Sequence, residues 1–215
     1  MHEQADFGGG SNLISITIKI HGGKVRQDLA GLGSGDMSLI KDAVTGDSIV
    51  LMPRQKLFTK PGGKTKDIPS PDAALSKPVD TGNADRVGGY NAEIYAWAAD
   101  RKLWNDTNGM IETLWVAKDF TNYENIKADL AKLDRANVSF PGKGMQPEIS
   151  SLPGMVVKSK LLVKMGATVQ TINIMLLSAK EEPVAPSNFE VPGDYKEWTP
   201  QQSPGQPAPK TAPDK

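Results

Sequence analysis

Cysteine is absent from the 215 residues, histidine occurs twice, and no apolar run approaches a membrane span. Each absence excludes something. Without Cys there is no thiol nucleophile, no Cys-ligated zinc and no disulfide, although this says little about compartment. A spanning helix needs about 18 consecutive apolar residues, so no transmembrane segment is expected. Net charge is also missing, with 25 Lys+Arg against 25 Asp+Glu. A general nucleic-acid binder needs a basic footprint to release phosphate counterions, so nucleic acid is not an expected partner. With only His2 and His21, and with scattered rather than clustered carboxylates, no metal site and no cofactor are expected. Gly-x-Ser-x-Gly does not occur, and only His21 is placed to serve a triad. The chain is therefore expected not to be an enzyme; a site built from two converging carboxylates is the remaining catalytic reading.

What is present is alternation. Ile14, Ile16, Ile18 and Ile20 share one face of a strand, with Ser15, Thr17 and Lys19 on the other. Gly22-Gly23 turns the chain into a partner strand in which Val25, Gln27 and Leu29 oppose Arg26 and Asp28. Short strands follow at Met37–Val44, Ser48–Met52 and Gln55–Lys60. Tyr90, Ala92, Ile94, Ala96 and Ala98 alternate with Asn91, Glu93, Tyr95 and Trp97, and Met110–Ala117 completes a long hairpin with its tip at 100–108. Near the end, Met155, Val157, Leu161, Val163 and Met165 oppose Lys158, Lys160 and Lys164, and Gly166 leads into Thr168–Ser178. Strands at this spacing with Gly-rich turns predict an antiparallel meander, not βαβ crossovers.

One helix is expected. Thr121-Asn122-Tyr123-Glu124 fits a capping box, and Tyr123, Ile126, Leu130 and Leu133 recur at three- and four-residue steps. The fold class is thus α+β, mainly β: a curved antiparallel sheet of about 8–9 strands, an open half-barrel wrapped around one main amphipathic helix. A single domain is expected over 12–198. Residues 1–11 are expected to be a flexible lead-in, with no apolar stretch of a signal peptide, 61–86 a long mobile loop, and 199–215 a disordered Pro-rich tail.

Gly63-Lys64-Thr65 imitates the end of a phosphate-binding loop, but Phe58 stands where that loop needs its first glycine. The Lys158, Lys160, Lys164 stripe suits either anionic lipid head groups or a solvated strand face.

Three segments then carry a resemblance: Gly89-Tyr90-Asn91-Ala92-Glu93-Ile94-Tyr95, Leu114-Trp115-Val116-Ala117-Lys118-Asp119 and Phe189-Glu190-Val191-Pro192-Gly193-Asp194-Tyr195. In this order they resemble the bacterial domain of unknown function 4412, which is similar to the outer-membrane lipoprotein carriers LolA and LolB. The resemblance implies a half-barrel around helices and a periplasmic, secreted or cell-envelope location. It implies a lipid, a lipoprotein acyl chain or another envelope protein as partner. The expected function is non-catalytic binding of a lipid, acyl chain or apolar peptide in the concave face. The expected lining is Ile16, Ile18, Tyr90, Ile94, Met155, Val157 and Leu161. The alternative is an interaction or structural module whose core is filled.

Overall fold

The computed structural model describes residues 1–6, 13–32, 35–60, 77–98, 108–136 and 147–198. The 61–76 stretch with Gly63-Lys64-Thr65, the hairpin tip at 99–107, the 199–215 tail and the side chain of Leu133 lie outside them.

Twelve strands and one helix follow in chain order. They are β1 (His2–Asp6), β2 (Leu13–His21), β3 (Lys24–Ala30), β4 (Met37–Asp42), β5 (Ser48–Met52), β6 (Leu57–Thr59), β7 (Val79–Val87), β8 (Tyr90–Ala98), β9 (Asn108–Ala117), α1 (Tyr123–Ala136), β10 (Met155–Met165), β11 (Thr168–Ser178) and β12 (Lys196–Glu197). All belong to one open sheet in the order β12-β6-β5-β4-β3-β2-β1-β11-β10-β9-β8-β7. Every pairing is antiparallel except β12 on β6. The expected class, a mainly β α+β fold with an open curved sheet and one helix, is borne out, with twelve strands in place of eight or nine.

Two hairpins share one tight loop geometry, and the alternation reading gives the first of them. Gly22 and Gly23 both take positive φ (56° and 84°) in the two-residue loop joining β2 to β3. Gly88 and Gly89 do the same (59° and 92°) between β7 and β8. Both central residues left-handed is the loop geometry that matches strand twist, and glycine adopts it without a Cβ penalty.

Two expectations are corrected. Of the expected flexible lead-in over 1–11, residues 7–11 lie outside the described residues, and His2–Asp6 instead form β1 at the middle of the sheet, where Ala5 faces Ile14 of β2 and Ile174 of β11. β1 thereby joins two meanders, β1–β6 and β7–β11, that share no other strand pairing. The second correction concerns the expected loop over 61–86, of which residues 79–86 belong to edge strand β7. Only Val87 of that strand is buried, so neither face carries an apolar alternation. Pairing with β8 supplies its order, and the Thr81 hydroxyl donates to the Ile94 carbonyl at 2.7 Å beside a register break. A bulged, polar edge discourages pairing with other chains.

One sheet face carries the helix. Ala5, Ile14, Ile16, Ile18, Val25 and Leu29 form a buried cluster with Tyr123, Leu130 and Met155. The Tyr123 hydroxyl donates to the buried Leu152 carbonyl at 2.8 Å, tying α1 to the turn at Ile149–Ser151. The cap sits one residue later than the sequence suggested. Asn122, at φ 62°, offers its carbonyl to the amides of Asn125 and Ile126, so Asn122 rather than Thr121 precedes the first helical residue.

On the opposite face the closing segment runs from β11 toward β12. Phe189 buries against Ile40 and Leu51. Arg26 donates to the Asn188 carbonyl at 2.8 Å, and Lys19 to the Asn188 side-chain oxygen at 2.9 Å. β12 then covers the β6 edge, with Lys56 paired to Asp194 at 2.8 Å.

Candidate functional site

The seven expected lining residues do not form one wall. Ile16, Ile18 and Met155 are packed under α1, each no more than 6% exposed. Val157 lies in an adjoining buried cluster against which Tyr90 packs. Leu161 is half-buried between Glu112 of β9 and Ile172 of β11, on the helix side. Ile94 is half-buried opposite Trp115, whose next neighbour is Lys158, and this places it on the outer face. The sheet therefore brings Ile16, Ile18 and Met155 together as core, sets Val157 and Tyr90 beside them, and separates Ile94 from Leu161.

An open cleft among the described residues lies at the rim, beside the start of α1. It measures about 430 Å³ and is lined by Tyr90, Phe120, Thr121, Asn122, Ile126, Ala179, Lys180 and Glu181. The Tyr90 and Phe120 rings stand 5.4 Å apart at 32°. Tyr90 comes from the start of β8, Phe120 to Asn122 from the turn leaving β9, and Ile126 from the first turn of α1. Residues 179–181 follow β11. The lining mixes apolar and aromatic residues (Tyr90, Phe120, Ile126, Ala179) with polar ones (Thr121, Asn122, Lys180, Glu181). A ligand carrying both kinds of surface matches this mixture, since apolar wall contributes affinity and a few polar groups fix orientation. Of the expected residues only Tyr90 contributes. Phe120 and Ala179 come from segments without periodicity, and nothing in the sequence links them.

Two carboxyl groups sit on the helix-side face of the sheet. Glu3 of β1 lies opposite Ile16 and Leu176, and Glu112 of β9 lies opposite Trp97 and Leu161. Burial pushes each up to about 7, and the charge on Glu112 adds to the effect at Glu3. The buried Ser159 hydroxyl bonds to Glu112 and opposes its shift. The neighbouring Trp97 is 4% exposed, and its indole N–H has no partner among the described residues. Burial thus holds the Glu3 and Glu112 carboxyls well above the usual carboxylate range. Sequence reasoning missed them because an isolated Glu in an alternating strand is ordinarily a solvated position.

The histidines are occupied elsewhere. His2 contacts the hydroxyls of Thr17 and Ser15 at 3.0 and 3.3 Å, and His21 stacks on Phe189 at 6.2 Å. Among the described residues no three His, Asp or Glu side chains converge as metal ligands. No family model matches the chain, and no curated protein matches its sequence.

Proposed function

We propose that the chain is a non-catalytic binding protein of the periplasm or cell envelope that holds an amphiphile, such as a fatty acyl chain with its polar head, in the rim cleft. The observation that carries this reading is the mixed lining. Phe120, Ile126 and Ala179 offer aliphatic and aromatic surface, and Lys180 stands among the polar groups at the same mouth. Apolar contact at about 25 cal/mol per Å² would supply part of the affinity, and the polar groups the rest together with the orientation. The envelope location rests on the resemblance to lipoprotein carriers alone.

Native mass spectrometry of protein recovered from a bacterial envelope tests the reading, together with titration by a fluorescent fatty acid. Retention of a lipid mass, and uptake that Phe120→Ala weakens, support it. A ligand-free mass with no uptake removes it.

A second reading has its own observation. Ile16, Ile18 and Met155 lie packed against Tyr123 and Leu130, so the face under α1 is filled. An interaction or structural module with a closed core fits that packing, and absence of any bound lipid would favour it.

A further inference from the structure

We infer that the outer face of β8–β11 is a docking surface for an anionic lipid bilayer. The inference does not depend on the rim cleft.

Strand register defines the face. Ile94, Trp115, Lys158 and Met175 lie side by side across the four strands, and Ala96, Thr113, Lys160 and Asn173 form the next row. Ala98, Ile111, Leu162 and Thr171 follow, and Lys164 lies beside Val169. Three lysines therefore stand on one face. These four strands hold two carboxylates, Glu93 and Glu112, and both point the other way, opposite Val116 and Trp97 respectively. Within these four strands the face thus carries three lysines and no carboxylate, and Asp6 of β1 borders it beside Asn173.

The apolar part of the patch is unusual for a solvated strand face. Val169 is 53% exposed, Met175 45% and Leu177 51%. The 179–198 segment covers the same face of the sheet over β3–β5, through Phe189 on Ile40 and Leu51, whereas no described element lies over these three side chains. Lys158 holds its ammonium 4.4 Å from the centre of the Trp115 ring. The Trp115 indole N–H is buried, so the ring serves as a base on which Lys158 holds its amine outward, and Val169, Met175 and Leu177 supply the apolar contact. A duplex would gain from the lysines but nothing from exposed Val, Met and Leu, and no arginine is present for phosphate forks. A bilayer surface uses both halves of the patch, with binding set by buried apolar area plus attraction to anionic head groups.

Vesicle flotation of the full chain tests the inference. The probes are vesicles of phosphatidylcholine alone and of phosphatidylcholine mixed with phosphatidylglycerol. Flotation with the mixed vesicles only is expected, declining between roughly 0.15 M and about 1 M salt as screening tightens. Replacing Lys158, Lys160 and Lys164 together by Gln should lower partitioning by roughly fivefold per lysine. Lys160→Gln alone leaves the Lys158–Trp115 contact intact and should move in the same direction. Met175→Ser with Leu177→Ser should weaken binding while keeping its salt dependence. The control triple Lys24→Gln, Lys77→Gln and Lys196→Gln should float like the parent. Three outcomes overturn the inference: no flotation with anionic vesicles, equal loss in the control triple, or salt-sensitive binding to duplex DNA without vesicle binding.

Discussion

Ala5 stands directly opposite Ile174, and this pairing of β1 with β11 fastens the two halves of the sheet to each other. At 1% exposure the Ala5 methyl has no room for a larger or charged group. Ala5→Asp should destabilise the fold by about 3 kcal/mol or more, because it buries a charge without a partner. Urea unfolding followed by circular dichroism measures the effect. A change within about 0.5 kcal/mol, the range of an ordinary surface substitution, would mean that β1 does not hold the halves together.

Glu3 and Glu112 give stability a pH dependence whose sign can be worked out. Both are raised from 4.5 to about 7 in the folded state. Between those values the native protein keeps protons that the unfolded chain has released, so stability falls as pH rises through that window. Above 7 both states are ionised and the loss is complete. Thermal melts should therefore give a higher Tm at about pH 5 than at about pH 8, on the order of 1–3 kcal/mol per carboxyl at most. Glu3→Gln with Glu112→Gln should flatten the profile. The charge on Glu112 contributes to the rise at Glu3, so Glu112→Gln should also lower the Glu3 midpoint.

Gly154 enters β10 where a Cβ would run into the carbonyl oxygen of Ala117, a backbone atom that cannot swing aside. Gly154→Ala should cost about 1–3 kcal/mol, the range of an overpacked core. Gly193→Ala meets nothing within 4 Å and should stay within about 0.5 kcal/mol of the parent. Denaturant midpoints of the two variants provide the comparison, and equal midpoints would contradict the packing described at Gly154.

Elements with one buried and one wet face were legible in the sequence. β2 and β3 bury Ile14, Ile16, Ile18, Val25, Gln27 and Leu29, and the alternation exposes that arrangement. β10 keeps Val157 and Ser159 in and its lysines out for the same reason. β1 was illegible because His2-Glu3-Gln4-Ala5-Asp6 buries only Ala5 fully, and β7 because it buries only Val87. In β8 burial passes from Ala92 to Tyr95 and Trp97, which lie on opposite faces, so a single alternating phase cannot describe the strand. That switch is why Ile94 was placed on the wrong side of the sheet relative to Leu161. The rim cleft was less legible still. Tyr90, Phe120 and Ala179 are brought together by sheet order, and the pairing of β1 with β11 that sets this order leaves no motif.

Titration of isotope-labelled protein with a medium-chain fatty acid, followed by backbone and methyl NMR, reports directly on the rim cleft. The account predicts saturable shifts at Tyr90, Phe120, Ile126 and Ala179, and unchanged methyl signals at Ile16, Ile18 and Met155 under the helix. Shifts confined to those three core methyls, or no saturable shift anywhere, would contradict it.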